Sequence, residues 1–177
     1  PTDLRTWTGI AASADSLEVV GLPEDFTLTV DNLSVLFNTA SAPVGSVPLA
    51  VEPIDWDALI TDVNNPLNGL TGDQELLVAG DLTVNLGGYV LVAGHFEVEK
   101  SSHSDVDLGA TNGNSVDVEL LTIDLVGVDL FVGVGGVFDT ALEGQYEVDT
   151  TNGTGFFVDD ADLHLAIASV TDPTPLT

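Results

Sequence analysis

The stretch Ser115 to Phe138, SVDVELLTIDLVGVDLFVGVGGVF, constrains the fold more than any other part of the chain. Read in twos, Val116, Val118 and Leu120 fall on one face, with Asp117 and Glu119 on the other. Ile123 and Leu125, then Val128, Leu130, Val132 and Val134, continue the theme against Thr122, Asp124, Asp129 and Gly133. A period of two over this length means β-strand with one apolar and one wet face. The acids within the run exclude a membrane-spanning helix. One uninterrupted strand would extend about 75 Å, far beyond ordinary strand lengths. The phase slips at Leu120-Leu121 and Val126-Gly127, and the glycines at 133, 135 and 136, are therefore expected to be bulges or turns. The stretch then reads as two or three consecutive strands.

The rest of the chain repeats this pattern. Residues 6–21 alternate loosely and close on Gly21-Leu22-Pro23. From Phe26 to Phe37 the parity changes at Asp31-Asn32, which suits a bulged strand or a tight turn. Residues 38–46 read as loop and 47–51 as a short strand. Asp55 can cap a short helix carrying Trp56, Leu59, Ile60 and Val63 on one side, ended by Asn64-Asn65-Pro66. Gly87-Gly88 between alternating runs signals a hairpin, because glycine accepts the positive φ of tight turns. Ser101 to Ser104 read as a break, residues 105–110 as a short strand, and Thr111-Asn112-Gly113-Asn114 as a turn. Residues 144–149, a turn at 150–153, and residues 155–170 complete the series. The segments TGIAASADSLEVV and FVDDADLHLAIASV echo each other in spacing. The expectation is an all-β, mostly antiparallel sandwich or long curled sheet of about ten to twelve strands. At most one short helix is expected, near residues 55–63.

The charge balance limits the partners. Arg5 and Lys100 face 29 acids, for a net charge of −27, while 44% of residues are hydrophobic and mean hydropathy is +0.32. That apolar content is globular and argues against disorder. Nucleic acid is excluded as a partner, since phosphate contacts need clustered cations. Membrane insertion is not expected: aromatics at 6% cannot furnish the two girdles of an outer-membrane barrel. Self-repulsion favours high salt or a calcium-containing exterior. With no Cys, disulfides and thiolate chemistry are impossible. The opening Pro1-Thr2-Asp3 carries no start methionine or signal segment, so the chain reads as a piece of something longer. It is one module over residues 1–177 with Pro-rich linker ends at 1–5 and 171–177. Joined end to end, those ends form one Pro/Thr/Asp spacer suited to tandem copies.

The order of segments resembles repeat units of giant tandem-repeat bacterial surface proteins of the adhesin-like, LEPR-XLL type. The stretches that carry the resemblance are TWTGIAASADSLEVVGL with FTLTVDNLSVLFNTAS, DLTVNLGGYVLVAGHFEVEK, and the region YEVDTTNGTGFFVDDADLHL. They are strand patterns covering most of the chain, without a catalytic signature. The resemblance implies an extracellular or cell-surface, adhesive or filament-forming chain built from many β modules, and it transfers no site residue.

Candidate sites follow from residue type. Calcium takes six to eight hard oxygens, which Asp- and Asn-rich turns supply. The clusters are Asp55/Asp57/Asp62, Asn112/Asn114/Asp117, Asp149/Asn152 and Asp159/Asp160/Asp162, the last being the chosen metal candidate. Against it stands composition, because 20 Asp in 177 residues cluster by chance and strand-end acids are usually solvated. Glu97 and Glu99 share a strand face and could form a glycosidase-type pair, but a solvated face with its companion Lys100 is the reading preferred. His95, His103 and His164 lack a triad setting, and His164 alternates with Leu163 and Leu165 toward water. Residues 133–136 lack the Lys and the strand-to-helix context of a phosphate loop. Trp7, Trp56, Tyr89 and Tyr146 read as core plugs before they read as a glycan platform. The sequons at Asn32 and Asn152 arise by composition. The chain is thus expected to be no enzyme. It reads as a stiff anionic β rod or filament unit that contacts neighbouring copies head-to-tail or by strand addition. The alternative is a calcium-dependent glycan-binding or adhesion domain, and a third reading is an acid-adapted domain of a halophile.

Overall fold

The computed structural model describes residues 4–43, 51–107, 109, 115–142 and 145–171. Of the expected strand at 47–51 only Val51 is described, outside any strand, and the turn at 111–114 and most of the Pro-rich ends lie outside the described residues. The chain is all-β. Strands β1 (Thr6–Glu18), β2 (Phe26–Ser41), β3 (Gln74–Leu86), β4 (Val90–Asp107), β5 (Ser115–Val134) and β8 (Thr154–Val170) form one sheet in that order. Every neighbouring pair is antiparallel. Between β5 and β8 the chain makes a separate small hairpin, β6 (Val137–Leu142) with β7 (Gln145–Asp149). A four-residue helix α1 (Trp56–Leu59) lies between β2 and β3. The layout is a long meander, so of the two expected architectures the long sheet is the one found.

The strands are fewer and longer than expected. Ser115–Val134 is a single strand of 20 residues, and the parity change at Leu120-Leu121 leaves its pairing undisturbed. Its expected division into two or three strands is corrected: a neighbour pairs with it on each side, and this holds it extended. Likewise Ser101 to Ser104 do not break, and β4 runs on to Asp107 with a bulge at Asp105, φ 57°. Residues 38–41, expected as loop, finish β2.

Four other features match their sequence signals. Asn32, φ 52°, is the bulge residue of β2, and Gly127, φ 60°, serves that role in β5. Gly87 and Gly88, φ 65° and 71°, turn β3 into β4. Asp55 caps α1 by accepting the Ala58 N–H at 3.0 Å.

Register sorts the side chains by face. Ile10, Phe37, Leu76, Lys100, Leu121 and Ile167 lie opposite one another in turn across the six strands. Two residues along comes the row Ala12, Val35, Val78, Val98, Ile123 and Leu165. At the far end the same face carries Phe26, Leu86, Val90, Val132 and Phe156. The opposite face has rows such as Ala79, Glu97, Asp124 and His164, and Thr83, Ala93 and Asp129.

Two caps sit on this second, acidic face. The β6–β7 hairpin buries Val148 against Leu91, Ala93 and Phe131, with Phe138 packed beside them. At the other end the segment 51–73 folds over β1 and β2. Trp56 lies so close to Gly9 that a Cβ there would come within 2.8 Å of the indole. Its Nε1 donates to Asn38 Oδ1 at 2.9 Å, and Asn38 Nδ2 donates to the carbonyls of Ile54 and Thr71, each at 2.9 Å. Trp7 Nε1 donates to the Glu52 carbonyl at 3.1 Å, with the Arg5 guanidinium 5.3 Å above its ring. Both tryptophans are half-buried and hydrogen-bonded through their indole N–H, outside the buried core cluster that the expected plugs would join.

Candidate functional site

A line of bulges crosses the middle of the sheet on its acidic side. Asn32, Gly127 and Asp160 (φ 53°) all take the left-handed conformation at nearly the same level of their strands. Carboxylates hold these bulges. Asn32 Nδ2 donates to Asp81 Oδ2 at 2.9 Å, and His95 Nδ1 lies 2.9 Å from Asp81 Oδ1. Asp129, buried beneath the hairpin, accepts the Asp160 N–H at 3.1 Å and the Val148 N–H at 3.0 Å. Asp162 accepts the Gly127 N–H at 3.0 Å. A cleft of about 560 Å³ opens here, lined by Asp81, His95, Asp129, Glu147, Asp159 and Asp160 among others.

The three carboxylates singled out as a metal candidate have distinct places in this arrangement. Asp159 lines the cleft, Asp160 contributes its backbone N–H to Asp129, and Asp162 is tied to Gly127. Among the described residues no group of three or more His, Asp and Glu is placed to hold a metal ion. Both oxygens of Asp81 and both of Asp129 are already hydrogen-bonded. Asp129 and Asp162 fix backbone N–H groups that a regular ladder leaves unpaired, and Asp81 holds the side chains of Asn32 and His95.

The remaining candidates are dispersed. Glu97 and Glu99 share a face of β4, and Glu99 accepts from Gln74 Nε2 at 3.1 Å. Their supposed companion Lys100 is on the other face, a correction that follows from strand alternation. There its Nζ meets Glu75 at 2.7 Å and Glu119 at 3.1 Å, and the Ser102 hydroxyl donates to the other Glu75 oxygen. The Glu75 hydrogen bond raises Lys100 above its ordinary value against the pull of desolvation, and Glu119 adds to it. Desolvation works to raise Glu75, but the Lys100 and Ser102 hydrogen bonds outweigh it and hold the carboxyl below its ordinary value. His164 is exposed, 2.5 Å from Asp124, and His103 bonds Ser101. Tyr89 is exposed at the β3–β4 turn.

The apolar face is itself a surface feature, whose exposure the alternating pattern alone did not reveal. Among the described residues the buried apolar side chains are Leu70, Leu91, Ala93, Val118, Phe131 and Val148. All belong to the acidic face or to its caps, and none to the face of Val98 and Ile123. Among the described residues, the extensive contacts between elements are those of strand neighbours in the sheets and of the β6–β7 hairpin with β3, β4 and β5. Ile10, Phe37, Val132, Leu163 and Ile167 of the apolar face are accordingly exposed, and Phe156 is 83% exposed. Both outer strands are open along their free edges, β8 most of all. No helix among the described residues is long and apolar enough to cross a membrane. Compared with known proteins, the chain matches no protein-family model, no curated protein and no solved structure.

Proposed function

We propose that the chain is a structural, non-enzymatic module of an extracellular assembly, one that adds to neighbouring copies through its sheet edges. The observation that carries this reading is the relation between β1 and β8. The sheet has six antiparallel strands, so its two edge strands run in opposite directions. A second copy set beside the first would therefore bring its β1 against β8 and continue the antiparallel order. The row from Ile10 to Ile167 puts the acid-free half of β1, residues 6–14, level with the acid-free half of β8, residues 163–170. They overlap the two longer segments, TGIAASADSLEVV and FVDDADLHLAIASV, whose sequences echo each other in spacing. Long, nearly uncharged edges are templates for strand addition.

At the other end Asp15 and Glu18 of β1 would approach Asp159, Asp160 and Asp162 of β8. Like charges oppose the contact there, and salt or divalent cations would relieve them. The net charge of −27 supports an exterior setting that supplies such ions.

Electron microscopy and sedimentation of the purified chain, over a range of NaCl concentrations, test the proposal. Extended oligomers that grow with salt, and that disappear when Ala166→Glu and Ala168→Glu place charge on the β8 edge, are the expected result. A chain that stays unextended at every salt concentration would contradict it.

A further inference from the structure

We infer that the apolar face of the sheet is the interface with a second copy of this chain, the two sheets stacking face to face into a two-layer sandwich. The inference shares with the edge proposal only the idea that copies associate, and it concerns a different surface.

The size of the face is the first argument. Six strands at ~4.8 Å by a dozen residues at ~3.3 Å give a patch of about 1,200 Å². The largest apolar patch of a typical monomer is about 300–600 Å². Two such faces brought together would remove on the order of 2,400 Å² from water, within the range of obligate dimers.

The second argument is the distribution of charge. Between the row of Val98 and the row of Phe156 this face carries no acid on β3, β4 or β5. At its margin Lys100 is matched by Glu75 and Glu119. The carboxylates that make the chain strongly anionic sit on the capped face, at the ends and in the loops. Two copies stacked on their apolar faces therefore hold their acidic faces outward, separated by two sheets. The side chains at the centre, among them Val78, Val98, Phe96 and Leu125, are those that interdigitate when sheets pack ~10 Å apart.

Sedimentation velocity of the whole chain, without lipid or detergent, reads the outcome. At low salt, where like charges oppose edge addition, the wild-type chain is expected to dimerise at low micromolar concentration. The double variant Val98→Glu, Ile123→Glu is expected to weaken that association about a hundredfold or more, since each charge would be buried without a partner. The edge variant Ala166→Glu, Ala168→Glu should leave the dimer intact, which separates this interface from strand addition. Hydroxyl-radical footprinting of the unmodified chain guards against a face variant that fails to fold. Phe156, 83% exposed on the face in the single chain, should be protected relative to Val20 and Val63, which are 86% and 80% exposed off the face. A wild-type monomer, a dimer lost only in the edge variant, or face residues as reactive as Val63 would each overturn the inference. So would a monomer that takes up phospholipid from vesicles, which would assign the face to an amphiphile.

Discussion

The carboxylate of Asp129 accepts the backbone N–H of Asp160 at 3.1 Å, tying the bulge of the edge strand to the strand beside it. Its other oxygen holds Val148 of the small hairpin, and the side chain is only 7% exposed. One acid thus fixes both the bend of β8 and the cap over Leu91, Ala93 and Phe131.

Asp129→Ala should therefore cost about 3 kcal/mol, because two backbone donors lose a charged acceptor at a buried site. In thermal melting by circular dichroism this corresponds to a fall of roughly 6–12 °C for a domain of this size. Asp129→Asn keeps one acceptor and should lose about half as much. Equal melting temperatures for the wild type and Asp129→Ala would remove this residue from the account.

Asn38 plays the matching part at the other end. It is 1% exposed and bonds Trp56, Ile54 and Thr71 at once. Asn38→Ala should release the segment 51–73 while leaving the sheet in place, at a cost of about 2–3 kcal/mol. Limited proteolysis should then cut within residues 60–68, and Trp fluorescence should shift to the red. Unchanged cleavage would contradict the role.

Lys100 gives a pH-dependent test. Glu75 is held below its ordinary value, so its pairing contributes stability above about pH 4.5 that is lost as pH falls through the lowered value. Lys100 is raised, so its contribution is complete below about pH 10.5 and is lost as pH rises through the raised value. Because the ammonium is partly exposed, Lys100→Met should cost only about 1 kcal/mol or less. The difference between wild type and variant in urea midpoint should be constant from pH 6 to 9 and shrink on acidification below about 4.5. A difference that persists at pH 2 would show that packing, and not charge, is responsible.

Asp162 separates structural bonding from cation binding. Its carboxylate accepts the Gly127 N–H, so Asp162→Asn should lower the melting temperature by roughly 2–4 °C through loss of a charge-assisted bond worth about 1 kcal/mol. That loss should be the same in calcium chloride and in EDTA at matched ionic strength. A loss seen only with calcium would instead make Asp159, Asp160 and Asp162 ligands.

The strand character of the chain was legible because alternation survives in nearly every segment. The bulges at Asn32 and Gly127 announced themselves as parity changes, and Gly87-Gly88 as a hairpin. What escaped the sequence was length. The 20 residues from Ser115 and the continuation of β4 through Ser101–Ser104 depend on pairing with distant strands, which no local pattern records. Lys100 sits between Glu99 and Ser101 in sequence, yet its partners Glu75 and Glu119 are supplied by neighbouring strands. Asn38 looked like a loop residue because the carbonyls it satisfies belong to a segment folded back from residues 54 and 71. The alternation also identified an apolar face without saying that nothing in the described chain covers it.

A second copy stacked on the apolar face would make this sheet half of a two-layer structure. Small-angle X-ray scattering of the purified chain at low salt, where edge addition is opposed, measures that directly through the thickness of the particle. Two stacked sheets are predicted, with about twice the mass of one chain and an additional layer ~10 Å away from the first. A particle of one chain's mass and one sheet's thickness, stable at high protein concentration, would contradict it.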